Sequence, residues 1–246
     1  MKIIHVDLDN TLIHKQTRDD DICVEIYDNK PLSFISKKTW DLLNELQKRD
    51  DVTVIPTTTR TVEQYKRINF GGVTFQFALV CNGGKLLIDG EPCDEWFDET
   101  LELIEDCEEE INKASKILNE SRDVDGLFVY TKTEHIERLC AILNKRLDLN
   151  KVAVHVSGKK VYVIPKVLEK GNALTRLQYM VPRDITMAAG DSSMDYSMVE
   201  SADIGFTKHT YSLDKPTVFI CNEGDDFPTF FNYKLREMLF SEKRCV

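Results

Sequence analysis

A chain of 246 residues suits one large domain or a core domain with a smaller insert, and 42% hydrophobic content argues against general disorder. The 42 acidic and 32 basic residues give a net charge of −10, which argues against nucleic acid and anionic membranes as default partners. Seven scattered cysteines lack any C-x-x-C pair, the opening apolar run is too short for a secretory signal, and no stretch approaches the ~18 apolar residues of a membrane span. These features predict a cytoplasmic protein with reduced thiols and no disulfide framework.

Ile3, Ile4 and Val6 form a short β-branched run that ends in Asp7-Leu8-Asp9-Asn10-Thr11. It reads as a buried strand with two carboxylates just past its carboxyl end, where open α/β sheets bind ligands. Two carboxylates this close repel each other, and a hard divalent cation would offset the cost of burying them. Residues 14–31 are polar with weak alternation and predict a short hairpin. Ser36 is a candidate N-cap for a helix over 36–49, Val52–Ile55 a second strand ending in Pro56-Thr57-Thr58-Thr59-Arg60, and Val62–Ile68 a second helix. Phe75–Cys81 is a third apolar run, closed by the turn Asn82-Gly83-Gly84. Strands alternating with helices argue a parallel sheet.

The rhythm changes over residues 94–120, which read as one long acidic helix. A strand over Gly126–Tyr130, a helix over 134–148 and a hairpin of Val152–Val156 and Val161–Ile164 about Ser157–Lys160 follow. This predicts a small α+β unit over 85–166, inserted between core segments 1–84 and 167–246. Lys170 then opens a helix, and Ile185–Ala189 is a strand ending in Gly190-Asp191-Ser192-Ser193-Met194-Asp195. Strands over Ala202–Phe206 and Thr217–Cys221 and a helix over Thr229–Phe240 complete the pattern. The fold expected is α/β, a Rossmann-like doubly wound parallel sheet with an inserted α+β domain. Asp7/Asp9, Thr58, Lys170 and Asp191/Asp195 should converge on one sheet edge, a constellation suited to magnesium and phosphoryl groups.

DLDNT at 7–11, TTR at 58–60, Lys170 at a helix start and GDSSMD at 190–195 resemble, in order, the four motifs of the haloacid dehalogenase superfamily. The Asn82-Gly83 turn and the insert resemble its branch with a type-two cap, which holds Cof-like and sucrose-phosphatase-like enzymes. Two positions depart from the Cof-like pattern, Thr59 standing for glycine and Met194 for asparagine. The resemblance implies a Mg2+-dependent phosphomonoester hydrolase acting through an aspartyl-phosphate on a sugar phosphate or similar small metabolite. It implies Asp7 as nucleophile and Asp9 as acid and base. Mg2+ would lie on the side chains of Asp7 and Asp191 and the main-chain carbonyl of Asp9. It further implies Thr58, Thr59, Arg60, Asn82, Gly83 and Lys170 around the phosphorylated substrate, with Asp195 orienting Lys170 or a metal-bound water. Asp9 disfavours dehalogenase and phosphonatase chemistry, since those relatives lack that carboxylate. A phosphosugar mutase uses the same two aspartates, and a binding module without turnover would keep the fold. A monomer or a homodimer is expected.

Overall fold

The computed structural model describes residues 1–208 and 215–240. The opening apolar run forms β1 (Lys2–Val6), which Asp7-Leu8-Asp9 and a tight turn terminate. The hairpin β2 (Ile22–Tyr27) and β3 (Lys30–Ile35) comes next and extends past the expected span. Ser36 caps α1 (Lys37–Leu46) by accepting from the Thr39 N–H at 3.1 Å. After β4 (Val52–Pro56), Thr61 and Gln64 cap each other reciprocally at the start of α2 (Val62–Lys66).

The third apolar run, β5 (Phe77–Val80), departs from expectation. It meets β4 through one parallel bridge, Thr57 to Leu79, and then pairs antiparallel with β6 (Lys85–Ile88), which pairs with β7 (Glu91–Pro92). Cys81, Asn82 and Gly83 all have positive φ, so the chain reverses there instead of crossing over to the parallel sheet. The expected boundary at 84/85 therefore lies inside this three-stranded sheet.

The expected long helix is two helices, α3 (Asp94–Ile104) and α4 (Glu108–Ile117), joined by a 3-10 turn at Glu105–Cys107. The break has a packing cause. Trp96 packs with Ile3, Ile55 and Leu79 of the core, whereas Cys107, Ile111 and Ala114 pack with Val129, Val161 and Val163 of the insert. One straight apolar stripe cannot face both. The strands β8 (Arg122–Val124) and β9 (Phe128–Lys132), the helix α5 (Ile136–Arg146) and the hairpin β10 (Val152–Ser157) and β11 (Lys160–Pro165) complete the insert. Its antiparallel sheet has the order β10-β11-β9-β8, with α4 and α5 on one face.

The core resumes with α6 (Lys170–Met180), β12 (Ile185–Ala189), α7 (Tyr196–Ser201), β13 (Ile204–Lys208), β14 (Val218–Cys221) and α8 (Phe227–Phe240). The strand expected at Ala202 starts two residues later, because Ala202 closes α7. The parallel sheet runs β14-β13-β12-β1-β4, and the side chains of β1 alternate across it. Ile4 and Val6 pack towards α1 and α8, and Ile3 packs towards α6. Helices thus cover both faces, as a parallel sheet requires. Among the described residues no helix is long and apolar enough to cross a membrane, and the six described cysteines are all free thiols. Cys245 lies outside the described residues.

Candidate active site

Three strands end in one row. The Asp7 N–H donates to the Ala189 carbonyl at 2.9 Å, the Thr57 N–H to Val6 at 2.8 Å, and the Gly190 N–H to Phe206 at 3.1 Å. Residues far apart in sequence are thereby set side by side at the carboxyl edge of the sheet.

At the centre lies Lys170, 1% exposed, on the first turn of α6. Its Nζ donates to Asp7 Oδ1 at 2.6 Å and to Asp195 Oδ1 at 2.5 Å. The other Asp195 oxygen accepts from the Ser192 N–H at 2.9 Å and its hydroxyl at 2.6 Å, which fixes the carboxylate against the ammonium. Burial alone would lower the lysine pKa, but Asp195 and Asp7 overturn that and raise it. Burial pushes the Asp7 carboxyl well above its usual range, and repulsion from Asp195 adds to this while Lys170 works against it. Asp191 is raised for the same reasons, although Lys208 Nζ lies 3.2 Å from its Oδ2. Oxygens of Asp7, Asp191 and Asp195 can all lie within 4.8 Å of one another. Three hard oxygen donors with excess negative charge fit a divalent cation of the magnesium or calcium type.

The Asp9 side chain stands apart from this cluster. Arg60 forks across it, with Nε to Oδ2 and Nη2 to Oδ1 both at 2.9 Å. Burial works to raise the Asp9 carboxyl, and Arg60 overrides it, so the pKa lies below the ordinary carboxylate range. The third arm of Arg60 donates to Glu25 Oε2 at 2.8 Å. Glu25, with a fully buried side chain, also accepts from Ser33 at 2.6 Å and from Arg67 at 3.2 Å. A register irregularity in the β2–β3 hairpin at Glu25 aims this residue inward.

Several residues expected around the substrate make structural ties. The Arg60 guanidinium is committed to Asp9 and Glu25. Asn82 donates to the Leu168 carbonyl at 2.7 Å, two residues before Lys170. Gly83 accepts from the Trp96 indole at 3.0 Å and passes α6 so closely that a Cβ there would lie 2.4 Å from the Ala173 methyl. Both residues thus anchor the helix carrying Lys170. Thr58 is buried, its hydroxyl accepting from the Arg60 N–H at 3.2 Å while keeping its own proton to donate. Thr59 is half-buried in the same loop.

Glu25 and Lys208 were missed in the sequence. Lys208 had a signal, a cation at the carboxyl end of the strand next to β12, whereas nothing local marked Glu25.

Gly190 is constrained by close approach, since a Cβ there would stand 2.2 Å from the Asp195 Cβ. Gly190→Ala is expected to displace Asp195 from Lys170 and to destabilise the protein by roughly 1–3 kcal/mol, read by thermal unfolding. A melting point within a degree of wild type would contradict this.

Residues 94–208 match the family model for haloacid dehalogenase-like hydrolases. That segment, just under half of the chain, is similar to the haloacid dehalogenase-like hydrolases. The matched segment holds Lys170, Asp191 and Asp195, while Asp7, Asp9 and Thr58 precede it. No curated protein sequence matches. The fold is shared with the sucrose-phosphatase of Synechocystis sp. PCC6803, solved with sucrose and phosphate, at 16% identity and TM-score 0.64 over 95% of this chain and 96% of that one. It is shared also with the C-terminal domain of trehalose-6-phosphate phosphatase from C. albicans, at 15% identity and TM-score 0.62 over 96% and 91%. A haloacid dehalogenase-like hydrolase from B. subtilis has 15% identity and TM-score 0.60 over 97% and 100%.

Proposed function

We propose that this protein is a Mg2+-dependent phosphomonoesterase acting through an aspartyl-phosphate, with a sugar phosphate or similar small metabolite as substrate. The observation that carries this reading is Asp7, Lys170, Asp191 and Asp195 gathered at one strand edge, with Asp9 two residues from Asp7.

Asp7 attacks phosphorus in line, the bond to the leaving oxygen breaks, and the phosphoryl group is held as an acyl phosphate. Asp9 gives a proton to the leaving alcohol and takes one from the water that hydrolyses the intermediate. This requires Asp9 to leave its fork with Arg60, which holds it ionised. Lys170 offsets charge on Asp7 and the phosphoryl oxygens, and the Thr58 hydroxyl donates to one of those oxygens. Asp7, Asp191 and the Asp9 carbonyl would hold Mg2+, which supplies the charge screening that lets an anion approach a carboxylate. Asp195 acts as the orienting partner of Lys170.

The insert is the cap that selects the leaving group. Since α3 packs on the core, we place its start near residue 105 and its end near 166.

Phosphate release from p-nitrophenyl phosphate and a panel of sugar phosphates tests the reading. Release is expected with Mg2+, and a chelator should reduce it to background until Mg2+ is restored. Folded protein that releases no phosphate from any ester would overturn it, and isomerisation of a phosphosugar without free phosphate would point to a mutase.

A further inference from the structure

Strand register decides what the cap shows to the catalytic edge. In the β9–β11 pair Lys132 lies opposite Lys160, and Tyr130 opposite Tyr162. Val129, Val161 and Val163 turn to α4 and α5, so these four residues lie on the other face, where Tyr130 and Tyr162 join a cluster with Val80, Cys81 and Met194 of the core. The two rings stack with centroids 5.2 Å apart, and Lys160 Nζ stands 5.4 Å and 5.9 Å from them. The core carboxylate nearest in effect to Lys160 is Asp9, and Lys15 and Lys132 add positive charge around it.

This arrangement is costly as it stands. Like charges directly opposite in an antiparallel pair destabilise a sheet. Among the described residues, Lys15, Lys132 and Lys160 have no carboxylate within ion-pair distance, in a chain of net charge −10. Neighbouring Lys159, by contrast, lies 2.6 Å from Glu134, and Lys85 lies 2.7 Å from Asp125. Lys15 and Lys160 thus act on the acid that would protonate the leaving group, and Lys132 lies opposite Lys160 in the strand pair.

From this geometry we infer that Lys132 and Lys160 of the cap, with Lys15 of the core, form a subsite for a second anionic group on the leaving group. The substrate class is then a sugar bisphosphate or a phosphorylated sugar acid. An added phosphate or carboxylate would take the charge-assisted hydrogen bonds the lysines lack. The inference rests on the phosphomonoesterase reading and deepens it.

The test compares three esters of one hexose skeleton with the Mg2+-loaded enzyme: the monophosphate, the bisphosphate and the phosphorylated sugar acid. At low salt, kcat/KM for at least one of the two doubly anionic esters is expected to exceed that for the monophosphate by about tenfold, chiefly through KM, and the ratio should shrink as salt is added. Lys132→Gln and Lys160→Gln should each reduce the ratio several-fold, with folding checked by thermal melts. Which of the two esters gains more separates phosphate from carboxylate. Hydrolysis of p-nitrophenyl phosphate with a ratio near one overturns the inference alone, whereas absence of all hydrolysis overturns the underlying function. Calorimetric binding of the same three esters to Asp7→Asn reads the preference without turnover, so equal affinities there also overturn the subsite.

Discussion

Asp7→Asn is expected to lower phosphate release on the order of 10^4-fold or more while leaving the protein folded. The amide keeps the shape and removes the nucleophile, and a neutral carboxamide forms no acyl phosphate. Loss of fold is not the expected cause. Burial and the charge of Asp195 disfavour an ionised Asp7, so a neutral isostere removes a repulsion at the cost of one hydrogen bond from Lys170. Without metal, the variant should therefore melt no lower than wild type. With Mg2+ the order should reverse, because a cation that binds only the native state stabilises in proportion to its affinity, and the variant offers one carboxylate fewer. Melting curves with and without Mg2+, beside phosphate release, check all three statements. Turnover within tenfold of wild type would remove Asp7 from the nucleophile role.

The parts of the site that were legible in the sequence share one property. Asp7 and Asp191 each follow a short apolar strand, so local pattern and parallel topology suffice to bring them together. Lys170 was legible because it opens an amphipathic helix. What escaped depends on pairing that no local pattern encodes. Glu25 meets Arg60 from a hairpin whose irregular register breaks its alternation, so no local pattern marks it. Lys159 and Lys160 are adjacent and chemically identical, and only the register of β11 against β9 sends one to Glu134 and the other towards Asp9. The break between α3 and α4 was equally hidden, since it follows from two separate cores competing for one apolar stripe. The ties of Asn82 to Leu168 and of Gly83 to Ala173 are equally long-range, so no local pattern encodes them.

Lys170→Met should have the largest effect on stability. The ammonium is buried and touches two carboxylates, Asp7 and Asp195, while Asp191 raises the local negative charge further. Methionine fills a similar volume but leaves buried acids without their cation, a change that typically costs about 3–5 kcal/mol. For a chain of this size that is a fall in melting temperature on the order of 10 °C, measured without metal. Two additions separate the electrostatic cause from simple misfit. Mg2+ should restore part of the loss, since a divalent cation at Asp7 and Asp191 replaces some of the missing charge. Asp195→Asn in the Lys170→Met background should also raise the melting temperature, although the same change in wild type should lower it by removing a partner of Lys170. That reversal of sign is what packing alone would not produce. Strictly additive losses would mean that shape rather than charge ties Lys170 to its neighbours.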